Sequence, residues 1–444
     1  MRRWYVLFIV GLIAVLGLAM ASCGEEEEED GEETPAATEP EATEPSGETP
    51  GVTDTEVILG THTSLTGPIA AYSIIPQFTK AYFDYINETE GGVNGRQITY
   101  IEKDDQYSPP LAVDLTRQLV EQEGIFAMFN ALGTPNHLQV IDYLTRDNGV
   151  PDMYVATGAV EWVKDPSVRP LVFGSNPNYT GEGLVMGKYI ADTYPGQNVG
   201  VIYQNDDFGQ DGLAGVELGV TGKAEIVGSE PYEVTDPDLF SQVDRLQSAN
   251  ADVLVIFSTP LLLGNAVKHA RADLGWDVPI FISAVSMNEL TALIGGLDNM
   301  EGVMGPVATY MAQQTENAGI QRHLEILDAS GIGRGKASVL TLYAQYVAEL
   351  MVESLKRAEE PLTRDSLIAA AESLQDFTCS VCLFPATLGP DDHDPSQMVA
   401  FGVFNAAGRV VIQGPAYSWE GVSVADLTYD ALQVVEVPAD ALSP

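Results

Sequence analysis

From Thr55 onward, short apolar runs of strand length alternate with stretches of helical period, and loops rich in glycine and small residues separate them. This alternation predicts an α/β fold built on a doubly wound parallel sheet. A fresh series of the same kind starts after Asn176-Pro177-Asn178-Tyr179, so a second lobe is expected. With 444 residues and 45% apolar content, the chain is long enough to fill two cores.

The opening unit sets the plan. Val57 to Gly60 is an apolar run, followed by the small-residue loop Ser64 to Tyr72. A helical stripe then carries Phe78, Tyr82, Tyr85 and Ile86. Gly91-Gly92-Val93-Asn94-Gly95 breaks that helix, because glycine tolerates the positive φ of a helix stop. Gln97 to Lys103 reads as the next strand, which completes a βαβ unit whose ligand-binding loop is expected at the strand's carboxyl end.

Ser108 is placed to cap a helix begun by Pro109 and Pro110 and ended by Gly124. Strands are expected at Ile125 to Phe129 and Asp152 to Val155, with a helix carrying Leu138, Ile141 and Leu144 between them. In the second series the expected strands are Val199 to Tyr203, Ala224 to Val227, Asp252 to Phe257 and Pro279 to Ser283. Beyond Met304 to Thr309 come the long helical pattern Val339 to Ala358 and a helix capped by Thr363. Strand patterns follow at Met398 to Phe404 and Arg409 to Ile412.

A formal net charge of −43 argues against nucleic acid as a partner and against electrostatic docking on anionic lipid. The bland reading of such a charge is a heavily hydrated surface. Residues 1–22 read as a processing segment, with basic Arg2 and Arg3 and an apolar run from Val6 to Ala19. Met20-Ala21-Ser22-Cys23 resembles a bacterial lipobox, which implies cleavage before Cys23 and lipidation of its thiol. Residues 23–54 are expected to form an acidic, Pro/Thr-rich disordered tether, since they hold too little apolar surface to offset their ordering entropy.

"SLTGPIAAY", "INETEGGVNGRQITYIEKDD" and "SPPLAVDLTRQLVEQEGIFAMFNALGT" together resemble the opening lobe of type I periplasmic binding proteins, in the leucine/isoleucine/valine-binding branch that serves ABC importers. The likeness runs from about Thr55 to the C-terminus. It implies two Rossmann-like lobes joined by a three-segment hinge, with lobe 1 formed by residues 55–176 and 308–384 and lobe 2 by 177–307 and 385–444. It also implies a ligand cleft between the lobes. Thr134, in Leu132-Gly133-Thr134, matches the loop that holds a ligand carboxylate, and a helix start beside it favours an anion. Thr134 has a second reading, as the cap of that helix. Ala156 and Thr157 match the next pocket loop, while Tyr72 and Phe208 match aromatics covering the ligand from opposite lobes. Either aromatic could instead be simple packing.

The chain departs from the pattern in its second lobe. Val285 falls where amino-acid binders of this branch place a carboxylate, and Thr259 or Pro260 falls where a pocket aromatic is usual. An ammonium buried without a counter-charge is costly, and Glu289 is displaced by about one helical turn. A carboxylate or an uncharged-amine ligand is therefore expected ahead of an α-amino acid.

Cys379 and Cys382 form a C-x-x-C for which an exported protein suggests a local disulfide. The alternatives are a free dithiol or a zinc site, the latter drawing on His393 and the nearby Asp391, Asp392 and Asp394. His62 and His137 lie near strand ends and read as structural or ligand-contact histidines rather than metal ligands. No G-x-S-x-G, G-x-x-x-x-G-K-[ST], H-E-x-x-H or G-x-G-x-x-G stands where catalysis or dinucleotide binding would need it. The expectation is thus a non-enzymatic, cofactor-free solute-binding protein, extracytoplasmic and held to the membrane only by a lipid anchor, with an ABC permease as partner. A sensory module reporting to a signalling partner is the alternative.

Overall fold

A computed structural model describes residues 49–442. The leader, Cys23 and most of the expected tether lie outside the described residues. The last part of that tether, residues 49–54, is tied to the fold: Val52 bridges Val57, and Arg96 Nε donates to the Thr53 carbonyl at 2.7 Å. Among the described residues no helix is long and apolar enough to cross a membrane.

Five parallel strands form a first sheet: β1 (Glu56–Thr63), β2 (Gln97–Asp104), β3 (Ala127–Phe129), β4 (Asp152–Val155) and β5 (Val172–Gly174). Their order is β2-β1-β3-β4-β5. The helix Ile74–Glu90 joins β1 to β2 and stops at Gly91, whose φ of 75° is the left-handed conformation expected there. Ser108 occupies the residue before the helix Pro109–Glu121, as expected, but makes no side-chain capping bond. The strand β5 was not evident in the sequence. It spans only three residues and pairs with β4 alone.

The second sheet has β6 (Asn198–Gln204), β7 (Glu225–Tyr232), β8 (Val253–Phe257), β9 (Ile280–Ile282), β10 (Met304–Val307), β11 (Met398–Phe404), β12 (Val410–Ser418) and β13 (Gln433–Val435). Its order is β13-β12-β11-β10-β9-β8-β6-β7. The pairs from β7 through β10 are parallel, and those from β10 through β13 are antiparallel.

Between β10 and β11 the chain returns to the first sheet. The helix Val339–Arg357 lies against Ile74–Glu90, and its Ser354 hydroxyl pairs with Tyr154 Oη of β4 at 2.6 Å. Thr363 caps the helix Arg364–Glu372 through a reciprocal bond with Ser366, as its sequence indicates. Arg364 then donates to the Ile125 and Phe126 carbonyls at 2.9 Å each. Connecting segments run side by side between the sheets: Gly174 N–H donates to the His393 carbonyl, and Asn178 Nδ2 to Asp394 Oδ2 at 2.8 Å. Cys379 and Cys382 are joined in a disulfide beside a third connection, where Thr309 bridges Cys382.

Candidate functional site

Every parallel strand but one delivers its carboxyl end to a single cavity of about 120 Å³ between the sheets. Tyr72 follows β1, Tyr107 follows β2, Thr134 follows β3 and Ala156 follows β4. From the other side come Phe208 after β6, Thr259 after β8 and Val285 after β9. This placement is the usual consequence of parallel pairing, which brings all these loops to the same edge of each sheet.

Six of the seven expected ligand contacts therefore line one space. Thr157 stands one layer back: it is buried, and its hydroxyl hydrogen-bonds that of Thr134 at 2.5 Å. Thr134 is not a helix cap. Gly133 takes that position, and the Thr134 side chain turns to Thr157 instead. The helix beginning there is only Thr134–Leu138, too short to make an anion site of its start, so the hydroxyl is what Thr134 offers.

Four hydrogen bonds close the cleft. Tyr72 Oη donates to the Val285 carbonyl at 3.2 Å, and Gln204 Nε2 to Tyr107 Oη at 3.2 Å. Val160 N–H donates to Asp211 at 2.9 Å, and Val339 N–H to Glu289 Oε2 at 3.3 Å. Each joins a group from the first-sheet side to one from the second. The last of them occupies Glu289, which does not reach the cavity.

One lining residue escaped the sequence reading. Glu182, on the helix Tyr179–Thr193, is fully buried; its Oε1 accepts the Ala284 N–H at 2.7 Å, and its Oε2 has no partner. Burial pushes its carboxyl up to about 8, with the Ala284 amide and the Ser283 hydroxyl pulling the other way. The cavity thus has an acid that the sequence reading did not name, on a helix rather than at Val285. The sequence held a signal in Gly181-Glu182-Gly183, a single acid in a stretch whose Tyr179 to Gly187 are all buried. Among the described residues no lysine, arginine or histidine lines the cavity.

The two histidines brace the cavity wall without lining it. His62 Nδ1 pairs with Asp105 Oδ2 at 2.8 Å, His137 pairs with Asp152, and the rings stack with centroids 5.6 Å apart. Burial alone would raise Asp105, but the His62 ring, Asn136 and the Tyr107 N–H outweigh it and hold the carboxyl below its ordinary range. This acid fixes the loops after β1, β2 and β3 against one another. His393 is also engaged: its Nδ1–H donates to the Val172 carbonyl at 2.8 Å, its Nε2 pairs with Glu372 Oε1 at 3.3 Å, and its ring stacks on Phe173 with centroids 3.9 Å apart. Among the described residues no three His, Cys, Asp or Glu side chains could jointly hold a metal.

The architecture has close counterparts. A fatty acid ABC transporter substrate-binding protein from Thermomonospora curvata superposes with a TM-score of 0.75 at 21% identity, covering 85% of this chain and 96% of that one. A branched-chain amino acid ABC transporter protein from Thermus thermophilus, with bound valine, superposes with a TM-score of 0.73 at 19% identity, covering 83% and 97%. In sequence, the leucine-specific-binding protein of Salmonella typhimurium is 23% identical over 288 residues, or 64% of this chain and 76% of that protein. The family model described as periplasmic binding protein matches residues 56–409, and the chain, with its two sheets in the type I arrangement, belongs to that family.

Proposed function

We propose that the protein is the extracytoplasmic solute-binding component of an ABC importer, anchored by a lipid on Cys23, and that it captures a small organic ligand by closing two lobes over it. The ligand class is a branched-chain amino acid-like compound or an aliphatic or aromatic carboxylate. The lobes are residues 55–176 with 308–384, and residues 177–307 with 385–444. The observation that carries this reading is the cavity between the two sheets, walled by Tyr72 and Phe208 and bridged by the bond from Tyr72 to Val285. Most of its lining is apolar, with hydroxyls from Thr134, Thr309, Tyr343 and Tyr346, which suits a compact body carrying one polar head. Relatives named for leucine, fatty acid and branched-chain amino acids support the same class. Closure is a rigid rotation about the connecting segments, and the permease would recognise the closed form.

A thermal-shift screen of amino acids and small organic acids tests it. Ligand at a hundredfold excess over Kd adds about 2.7 kcal/mol to stability, a readily resolved rise in melting temperature. Thr134→Ala should weaken the best ligand by about fivefold, the size of one lost hydrogen bond of roughly 1 kcal/mol. A complete screen without a shift removes the proposed ligand class.

The anchor has its own test. Cys23→Ser is expected to release the protein from membranes or to leave it unprocessed, as read by fractionation and intact mass. A variant that stays membrane-bound and correctly cleaved places the anchor elsewhere.

A further inference from the structure

The cavity contains one carboxyl group and no cation, and that carboxyl has an oxygen to spare. Glu182 is completely buried, its Oε1 is clamped by the Ala284 amide, and its Oε2 makes no hydrogen bond; the one polar side chain acting on the carboxyl is the neutral Ser283 hydroxyl, itself without a partner. A buried polar atom left open in this way costs free energy, and an ionised one costs more, unless something arrives to pair it. Two hydroxyls lining the same space, those of Thr309 and Tyr346, are also buried and unpartnered.

We propose that Glu182 is the counter-charge for a protonated amine on the ligand, and that the cavity therefore prefers an amine-bearing organic acid to its deaminated analogue. The proposal rests on the cavity being the ligand site. Positive charge is the one thing the lining lacks. A neutral Glu182 would add only a single O–H to a space already supplied with hydroxyl donors. An ionised Glu182 beside an ammonium satisfies a free oxygen and cancels a buried charge together.

Among the described residues nothing around Glu182 offers an alternative counter-charge. The other titratable groups of the cavity are the phenols of Tyr72, Tyr107, Tyr179, Tyr343 and Tyr346, all kept protonated chiefly by burial. The turn Ala284–Ser286 that packs on Glu182 has no ionisable side chain. On the neighbouring helix Asp207–Val220, Asp211 is engaged by the Val160 amide. Lys188, on the same helix as Glu182, pairs with Asp192 at 3.5 Å.

Because the free carboxyl titrates near 8, the cost of removing its proton sets a pH dependence. Affinity for an amine-bearing ligand should rise about tenfold per pH unit from pH 6 toward 8 and level off above that. The deaminated analogue should show no such rise.

The test is calorimetry with the processed protein, at pH 6 to 9 and in buffers of different ionisation enthalpy. The probes are leucine and phenylalanine, each beside its deaminated analogue, 4-methylpentanoate and 3-phenylpropanoate. Expected are preference for an amine-bearing member, release of close to one proton on binding at pH 7, and the stated rise with pH. Glu182→Gln keeps an acceptor for the Ala284 amide but removes the charge. It should weaken the amine-bearing ligand by a hundredfold or more, abolish the proton release, and leave the deaminated analogue within a few fold. The proposal is overturned if Glu182→Gln leaves the preference unchanged. It is also overturned if the wild type binds only deaminated acids, with affinity falling above pH 8, since Glu182 would then act as a proton-bearing donor while the solute-binding reading survived. Binding of neither kind of compound overturns the proposal and the proposed ligand class together.

Discussion

Gly215→Ala is expected to destabilise the fold by about 3 kcal/mol or more, although alanine is the better helix former by about 1 kcal/mol. The helices Tyr179–Thr193 and Asp207–Val220 meet backbone to backbone along a glycine seam. A Cβ on Gly215 would lie 2.2 Å from the Thr180 carbonyl oxygen and 2.7 Å from Leu184 N, and one on Gly183 would lie 2.2 Å from the Gly212 carbonyl oxygen. These neighbours are backbone, so relief requires the two helices to part, opening the core around Leu184, Val216 and Phe257. Gly335→Ala is the control: it has open space around it and should change stability by no more than about 0.5 kcal/mol. Urea denaturation measures both. A Gly215→Ala protein as stable as the wild type would mean that the helices do not touch as described. The seam also bears on function, because Glu182 precedes the seam residue Gly183 on the same helix, so parting the helices would displace its carboxyl.

Between pH 6.5 and 8 the ligand-free protein should lose stability as the pH rises, by about 1.5 kcal/mol for each of two buried carboxyls. Burial raises Glu182 to about 8, and burial together with the neighbouring Asp392 charge raises Asp394 to about 8. The unfolded chain gives up both protons near pH 4, so in this window the folded state holds more protons and each step upward favours unfolding. His323 works in the opposite direction lower down. Burial depresses it to about 4, so its contribution grows as pH rises toward 6.5 and is constant beyond. Starting at pH 6.5 separates the two effects. Glu182→Gln and Asp394→Asn should each remove about half of the slope in urea-denaturation series. A flat profile would show that neither carboxyl is buried in solution. A slope carried by Asp394 alone would show that the cleft of the free protein stands open, hydrating Glu182 while the connecting segments stay closed.

Much of the fold was legible because its signals are local. Val253 to Phe257 is a fully buried strand, and an unbroken apolar run is how such a strand reads. Gly91 and Thr363 mark a helix end and a helix start through their own backbone chemistry, with no help from distant residues. Parallel strands also place their following loops at one edge, so Tyr72, Thr134, Ala156, Phe208, Thr259 and Val285 could be assigned to one region from chain order and resemblance. The three-residue β5 could not be read, since its existence depends on β4 and on the His393 carbonyl rather than on its own length or period.

The polar character of the cavity was decided by tertiary structure. Glu289 looked like the nearest acid because sequence measures separation along the chain, but its carboxyl is spent on the Val339 amide across the cleft. Glu182 precedes Ala284 by 102 positions and meets its amide only when the helix after the first connection packs beside the turn after β9. Thr134 was rightly placed at the cavity, yet its partner is Thr157 from the next loop and not its own helix. Local periodicity determines which segments become strands and helices, because backbone hydrogen bonding and burial of one face act over a few residues. Which buried oxygen is left without a partner depends on every group that closes around it, and those groups come together only in the folded chain.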